Sequence, residues 1–240
     1  MAGAPLFSPA PTGIIHHAGG VDDITREKLL PWSAGTQSPR WAVADVNGDG
    51  FDDLAVGAPG FNGSMGKVYV FHGTASGVTS TAANPSFSVT GEAAANYFGE
   101  VVAGAGDVNG DGYDDLAVGT SRVNNYSGKV YVFLGSATGL SGTAASPAFS
   151  KTGGMFSFFS SALASAGDVN GDGFDELVVG APGGEFLGSV AVFLGSASGL
   201  VGSSAFSPYG ESSQDGFGGS VARLGDVNGD GFDDIAVGAK

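Results

Sequence analysis

Cysteine is absent from this sequence of 240 residues, and basic side chains are scarce, with nine Lys or Arg and three His. Without cysteine the chain has no disulfide, no thiolate catalysis and no sulfur-ligated metal. The few scattered basic residues argue against a nucleic-acid-binding surface. Apolar runs are also short. None approaches the ~18 residues of a membrane span, so membrane insertion is not expected.

Acidic residues, in contrast, are abundant and clustered. Of 24 Asp and Glu residues, 16 lie in four copies of the pattern D-V-N-G-D-G-[FY]-D-[DE], which start at Asp45, Asp107, Asp168 and Asp226. Most of the net charge of −15 is therefore concentrated in four short segments. Four bound divalent cations would reduce it to about −7, and we interpret the segments as cation-binding loops.

Each loop spaces its oxygen atoms as a hard cation requires. Counting from the first Asp, positions 1, 3, 5 and 9 carry oxygen-bearing side chains, and position 7 can supply a backbone carbonyl. Gly at position 6 permits the positive φ of a tight turn. With no His or Cys in the set, Ca²⁺ is well ahead of Mg²⁺, and about four Ca²⁺ per chain are expected. The alternative is a set of Asx-rich turns that bind nothing. The predicted metal ligands are Asp45, Asn47, Asp49, Phe51 and Asp53; Asp107, Asn109, Asp111, Tyr113 and Asp115; Asp168, Asn170, Asp172, Phe174 and Glu176; and Asp226, Asn228, Asp230, Phe232 and Asp234.

The loops differ from an EF-hand, which requires a bidentate Glu at position 12 and a following helix. Position 12 here is Val56, Val118, Val179 or Val237, within β-branched runs closed by Gly. Such runs favour strands, so each loop is predicted to join two strands of a hairpin. Glu176 replaces Asp at position 9 of the third loop, and its extra methylene is expected to weaken that site or to alter its denticity.

The loops belong to a longer internal repeat, because their first residues are 62, 61 and 58 positions apart. Each period adds a marker related to Gly-Ala-Pro, a second strand such as Lys67 to Phe71, and a turn of small residues. Third-strand candidates centre on Phe87, Phe149 and Phe206. The strands that enter the second, third and fourth loops are predicted to open at Phe98, Phe159 and Phe217.

Each period thus predicts about four short strands and no helix. The strand at Leu54, Ala55 and Val56 is apolar on both faces, which predicts that both faces are covered. This combination indicates an all-β β-propeller of four-stranded antiparallel blades, with about four blade equivalents in a closed ring or a partial arc. A β-solenoid would need a shorter coil, and a two-sheet sandwich would show one polar face per strand.

The chain is predicted to form a single propeller region over residues 1–240. We expect an outer half-blade at 1–37, three complete repeats at 38–216 and an inner half-blade at 217–240. The alternative for the first segment is a disordered leader. No signal peptide is visible at Met1, whereas loops of this kind are most useful outside the cell, where Ca²⁺ is millimolar. The N-terminus shown is therefore expected not to be the natural one.

Four of these features together resemble the FG-GAP repeat: Phe98-Gly99, the D-x-N-x-D-G-x-x-D loop, Gly-Ala-Pro and the G-x-V-Y-V-F strand. That repeat builds the β-propeller head of integrin α-chains and of many bacterial surface or secreted proteins. The resemblance covers nearly the whole chain. It implies a seven-bladed propeller with calcium loops between the first two strands of a blade. The sequence departs from the pattern at Thr36-Gln37 and Phe159-Ser160, and four repeats are fewer than seven blades.

No catalytic constellation accompanies the loops, so the chain is not predicted to be an enzyme. His16 and His17 are adjacent and would point to opposite faces of a strand, while His72 ends a strand and is expected at the surface. The leading hypothesis is a calcium-binding extracellular or cell-surface module for adhesion or for binding a protein or glycan, with a structural role for the ion. The alternatives are a lectin-like propeller and an accessory domain of a larger secreted enzyme. The aromatic residues expected to fill blade interfaces rather than to bind sugar are Trp32, Trp41, Tyr97, Tyr126 and Tyr209.

The two predicted half-blades are complementary, which leaves three arrangements open. The ring closes within one chain as a four-bladed propeller, it closes by self-association through the half-blade edges, or the chain is a segment of a longer propeller. Closure within one chain would place Ile14 and Ile235 in neighbouring strands.

Overall fold

The computed structural model describes residues 40–183, 187–212 and 214–239. The expected outer half-blade at 1–37, with His16, His17 and Trp32, lies outside this part. The strands are β1 (Trp41–Ala44), β2 (Asp53–Ala58), β3 (Lys67–Phe71), β4 (Phe87–Thr90), β5 (Val101–Gly106), β6 (Asp115–Thr120), β7 (Lys129–Phe133), β8 (Phe149–Thr152), β9 (Ala162–Gly167), β10 (Glu176–Ala181), β11 (Ser189–Phe193), β12 (Ser220–Gly225) and β13 (Asp234–Gly238).

Two helical turns, α1 (Phe61–Ser64) and α2 (Val123–Tyr126), follow β2 and β6. Both contain residues with left-handed backbone angles, including Asn62 and Asn124. Neither is a regular helix, in line with the glycine-rich sequence. In the ranges that the structure describes, no helix has both the length and the apolar character needed to cross a bilayer.

The strands form four antiparallel sheets in which neighbours in sequence are neighbours in space. Sheet 1 has the order β1-β2-β3-β4, sheet 2 the order β5-β6-β7-β8, sheet 3 contains β9 to β11, and sheet 4 contains β12 and β13. The all-β prediction of four short strands per period is confirmed in the first two sheets. The third sheet holds its fourth segment by isolated bridges at Phe206 and Tyr209, because Pro208 between them has no N–H for a continuous ladder.

The sheets pack face to face in sequence order, as blades do. One apolar cluster joins Val68 and Val70 of sheet 1 to Leu116, Tyr131 and Phe133 of sheet 2. Two further clusters repeat this packing between sheets 2 and 3 and between sheets 3 and 4. Sheets 2 and 3 are therefore covered on both sides, which accounts for strands that are apolar on both faces. Among the described strands, no pairing joins sheet 4 to sheet 1.

The Phe-Gly and Gly-Ala-Pro markers meet across neighbouring sheets. Phe98 is fully buried and packs edge-on against Tyr131. The carbonyl oxygen of Gly99 comes so close to Gly57 that a Cβ there would lie 2.0 Å from it. Only glycine fits such an approach. The prediction that strands open at Phe98, Phe159 and Phe217 is corrected, because this turn delays each strand by three residues.

Candidate functional site: acidic loops and an opposite groove

Each acidic loop joins the first two strands of a sheet, where its first carboxylate organises the turn. Asp45 Oδ1 accepts hydrogen bonds from the N–H groups of Gly48 at 2.8 Å and Asp49 at 3.2 Å. Its Oδ2 accepts one from the N–H of Gly50 at 2.9 Å. Gly48 and Gly50 have φ of 69° and 85°, which favours glycine at both positions. The other three loops repeat this arrangement.

Positions 3 and 5 stand at the exposed tip of the loop. Asn47 Oδ1 accepts the N–H of Asp49 at 3.1 Å, and Asn47 Nδ2 donates to Asp49 Oδ2 at 2.9 Å. Asp49 Oδ1 in turn accepts the N–H of Phe51 at 2.9 Å. The side-chain oxygens at positions 1, 3 and 5 are thus held in place by the loop's own backbone.

Position 9 lies in the interior in the first three loops, whereas Asp234 of the fourth loop is half-buried. Asp53, Asp115 and Glu176 are only 1%, 0% and 0% exposed. Asp115 Oδ2 accepts the N–H of Val108 at 2.9 Å, and Oδ1 accepts the N–H of Gly135 at 2.8 Å. Glu176 makes the equivalent two contacts despite its extra methylene. In these three loops the position-9 carboxylate therefore ties the loop to the turn that follows the third strand of the sheet.

Burial governs the electrostatics of these carboxylates. It raises the pKa of Asp115 and of Glu176 to about 7, and it also raises the pKa of Asp53. No described basic side chain forms an ion pair with any of the three. A cation close to them would favour the ionised form, so their burial is compatible with a bound metal. At the exposed Asp226, the hydrogen bond from the N–H of Gly231 is the main cause of a lowered pKa.

The carboxylate, amide and carbonyl oxygens of the loops are donors that suit calcium. In the described residues, however, the acidic side chains of a loop do not converge on one point. Within residues 40–183, 187–212 and 214–239, no three His, Cys, Asp or Glu side chains form a group that could hold a metal ion. The loops bring positions 1, 3 and 5 together at the tip, and they place position 9 deeper, against backbone N–H groups. The assignment of the twenty residues as metal ligands stays a prediction. The binding of about four Ca²⁺ per chain stays one too.

Position 8 has a role that the sequence analysis missed. Asp114 Oδ2 accepts the N–H of Asp45 at 3.1 Å, and the N–H of Asp114 donates to the Asp45 carbonyl at 3.1 Å. Asp175 and Asp233 form the same pair of bonds with position 1 of the preceding loop. The acid at position 8 thus connects each loop to its neighbour. The signal was present in the sequence, because all four copies carry Asp at that position.

Aromatic rings at position 7 strengthen the same connection. A Cβ on Gly48 would lie 2.7 Å from a ring carbon of Tyr113. Gly110 meets Phe174 and Gly171 meets Phe232 in the same way. Each ring lies over the bare position-4 glycine of the preceding loop, so the four loops form a continuous row along one end of the strands.

This connection gives a first prediction. Asp175→Ala should lower the free energy of unfolding by about 1–3 kcal/mol, because it leaves the N–H of Asp107 without its acceptor at a half-buried site. The matched control is Asp52→Ala, the same position in the first loop, where no described residue donates to the carboxylate. Its effect should stay within about 0.5 kcal/mol in urea unfolding at low protein concentration. Equal effects of the two substitutions would contradict the role assigned to position 8.

A groove of about 990 Å³ lies at the opposite end of the strands. Its floor includes Glu100, which is 7% exposed and accepts hydrogen bonds from Ser121 Oγ at 2.7 Å and Arg122 Nε at 3.3 Å. Its wall includes Tyr126 and Phe158, which are 45% and 37% exposed, with ring centroids 5.1 Å apart. Both have positive φ, which is costly for residues with a side chain and is often found where a surface has a function.

The remaining aromatic and histidine predictions have mixed outcomes. Trp41 and Tyr209 are 55% and 56% exposed and do not fill a closed blade interface. Tyr97 is half-buried beneath the guanidinium of Arg122, 4.3 Å from the ring centroid. His72 lies less at the surface than expected, because its Nε2 is buried and has no hydrogen-bond partner among the described residues.

Comparison with known proteins identifies similar sequences. A family model described as "FG-GAP repeat" matches residues 42–71, 98–133, 159–193 and 217–240. Integrin alpha-5 of Xenopus laevis is 34% identical over 214 residues, which is 82% of this chain and 19% of that protein. Integrin alpha pat-2 of Caenorhabditis briggsae is 32% identical over 223 residues, or 82% of this chain and 17% of that protein. Mouse (Mus musculus) integrin alpha-IIb is 37% identical over 153 residues, 59% of this chain and 14% of that protein. The chain spans less than a fifth of the length of these relatives.

Proposed function

The chain belongs to the FG-GAP repeat family, and on that premise we propose that it is a calcium-binding extracellular β-propeller module for adhesion or ligand binding. The similar proteins named integrin support an extracellular role. The observation that carries the proposal is the separation of two surfaces. Acidic loops line one end of the strands, and a groove with exposed aromatic side chains lies at the other.

Calcium has a structural role in this proposal. Positions 1, 3, 5 and 9 and the carbonyl of position 7 would hold the ion. Two unit charges 4 Å apart repel by ~4 kcal/mol at an effective dielectric of 20, so several carboxylates in one hairpin loop oppose its closure. A bound divalent cation offsets this repulsion. The row of loops would then be rigid, and the groove at the other end of the same strands would be held in shape.

Asp49→Ala tests the loop assignment. It deletes a charged oxygen donor at the exposed tip, with no substitute at that position. Calorimetric titration of the variant should give one calcium ion fewer than the unsubstituted chain. Asp215→Ala, outside the loops, should leave the number of ions unchanged. An unaltered stoichiometry in Asp49→Ala would show that the first loop does not bind the ion.

The groove is the proposed ligand-binding surface. The alternative function is that the groove binds carbohydrate. The Tyr126 and Phe158 pair favours it, because aromatic faces stack on sugar rings. Binding should be measured on a glycan array and on immobilised extracellular matrix proteins. Tyr126→Ala should weaken the binding that is found, whereas Tyr209→Ala, on an exposed ring outside the groove, should not. Binding that survives Tyr126→Ala on every surface would contradict this location.

The accessory-domain alternative has its own test. We expect no hydrolysis of common esters, phosphoesters or glycosides by this chain, because the sequence carries no catalytic motif and the Glu100 carboxylate that accepts from Ser121 Oγ also accepts from Arg122. Turnover that is lost in a groove variant would establish an enzyme instead.

A further inference from the structure

We propose that the groove binds a protein segment that carries an apolar anchor side chain beside an acidic residue. The proposal rests on the proposed function of the groove and names the chemistry of its ligand. One half of the site is a group of four exposed side chains, Tyr126, Met155, Phe156 and Phe158, which we call the apolar patch. The other half is the guanidinium of Arg122, which lines the groove together with Tyr126 and Phe158.

The repeat itself shows that the fold does not require the apolar patch. The segment that leads from one sheet to the next has a left-handed residue at the same position in three repeats, with φ of 61° at Ala95, 59° at Phe156 and 76° at Gln214. All three side chains are exposed. Alanine and glutamine therefore suffice where the second segment carries phenylalanine. A large apolar side chain at such a position, next to the exposed Met155, indicates a surface that contacts another molecule.

The backbone holds the patch in shape. The N–H of Phe156 donates to the Asn125 carbonyl at 3.2 Å, and the N–H of Phe158 donates to the Tyr126 carbonyl at 2.8 Å. The Phe158 ring also packs on Gly183, where a Cβ would lie 2.5 Å from a ring carbon. Because the patch is ordered by its own contacts, little conformational entropy remains to be lost when a ligand binds.

The patch lies in the connection between sheets 2 and 3, away from both ends of the described chain. These two sheets pack on each other, and their outer faces are covered by sheets 1 and 4. Further sheets that packed in the same order would lie beside sheet 1 or sheet 4 and would not reach this connection. The exposure of the patch therefore does not depend on where the described residues begin or end.

Arg122 places a fixed positive charge beside the patch. Its guanidinium lies over the ring of Tyr97, 4.3 Å from the centroid. Glu100 Oε1 lies 3.3 Å from both the Nε and the Nη2 atom of Arg122. Among the residues that the structure describes, Glu100 is the only carboxylate that pairs with Arg122, whose side chain is 38% exposed. The Nη1 side of the guanidinium can thus meet an acidic group of a ligand.

The charge around this site is positive, although the chain as a whole is acidic. Burial is the main cause of the lowered pKa of Arg40, and the charges of Glu100 and Arg122 also act on it, so Arg40 lies close to both. Two guanidinium groups and one carboxylate leave one net positive charge. The acidic loop of the same sheet lies at the other end of β6, about 20 Å away over six residues. This distance exceeds two Debye lengths of about 8 Å at physiological salt, so the loop does not repel an acidic ligand from the groove.

The composition of the site favours a protein over a carbohydrate. Met, Phe, Tyr and Arg are enriched at the cores of protein interfaces. Met155 and Phe156 offer no hydrogen-bonding side chain, whereas the hydroxyl groups of a sugar need partners when they are buried. The flexible thioether of Met155 adapts to an aliphatic or aromatic side chain. An apolar anchor on the patch and an acidic neighbour at Arg122 use both halves of the site.

Selection from a displayed library of random dodecapeptides, in about 1 mM calcium, tests the proposal. The chain should enrich peptides that carry Leu, Ile, Phe or Met next to Asp or Glu. Phe156→Ala should weaken the binding of these peptides at least roughly tenfold, because it removes the anchor contact. The variant should fold, since Ala95 occupies the same position in the preceding segment. The matched control is Phe61→Ala, which removes an exposed ring at the same end of the strands but outside the groove, and which should leave the affinity unchanged.

The salt dependence of binding tests the charged half of the site. A synthetic copy of an enriched peptide should bind more weakly as the sodium chloride concentration rises, and Arg122→Gln should remove most of that dependence. Exchange of the acidic residue of the peptide for lysine should weaken its binding to the unsubstituted chain at least roughly tenfold. If Arg122 only supported the structure, Arg122→Gln would lower the affinity and leave the salt dependence as it was.

Two results of the selection would overturn the proposal. One is the enrichment of basic peptides, or of peptides that bind the Phe156→Ala chain as tightly as the unsubstituted one. The other is the enrichment of no peptide at all. If the chain then still binds a glycan and loses it on Tyr126→Ala, the proposed function stands and the ligand is a carbohydrate. A chain that binds no peptide, no glycan and no matrix protein would contradict the proposed function as well.

Discussion

Chelation of calcium is expected to lower the melting temperature of this chain by about 10–20 °C. A site with a dissociation constant of about 0.1 mM in 1 mM calcium adds roughly 1.4 kcal/mol of stability. Four such sites add about 5–6 kcal/mol if they act independently. The physical source is the concentration of 16 of the 24 acidic residues in four loops.

The control for chelation is to add calcium back and measure whether the melting temperature recovers. Calcium added in excess of the chelator should restore the melting temperature, and magnesium at the same concentration should restore much less of it, because it prefers six ligands in near-octahedral geometry. A melting temperature that does not move on chelation would contradict a structural role for the ion.

Asp115→Ala is expected to lower the free energy of unfolding by about 2–6 kcal/mol. The residue is fully buried and accepts hydrogen bonds from the N–H groups of Val108 and Gly135. Alanine leaves both donors unsatisfied in the interior, and each costs about 1–3 kcal/mol. Urea unfolding in calcium measures the change.

The control for this substitution is Glu211→Ala at an exposed position, which should change the free energy of unfolding by less than about 0.5 kcal/mol. If Asp115→Ala behaved like that control, position 9 would have no part in holding the loop to the neighbouring turn.

The repeat and the strands could be predicted from the sequence because they are local. The nine-residue loop and the β-branched run that follows it are contiguous in the sequence. The spacing of the repeats and the position of the strand after each loop can therefore be inferred from the same short segment. Lys67 to Phe71 and Lys129 to Phe133 form strands with the predicted bounds. Position 9 was predicted as a ligand on spacing alone, and the spacing says nothing of its burial or of the two N–H groups that it accepts.

The features that the sequence did not predict depend on contacts between repeats. The bond from the N–H of Asp45 to Asp114 joins residues 69 positions apart, and no local pattern indicates it. The later start of the strand after Phe98 has the same cause, since the Phe-Gly turn is shaped by Gly57 and Gly66 of the preceding sheet. The pattern of residues along one repeat does not predict where the backbones of two neighbouring sheets approach each other closely.

The count of calcium ions bound per chain tests the central claim most directly. Native mass spectrometry of the chain, first stripped of metal and then equilibrated with 1 mM calcium, should show about four ions per chain, with the third loop the last to fill because of Glu176. The spectrum of a chain that retains no calcium, or a single ion, would contradict the assignment of the four acidic loops.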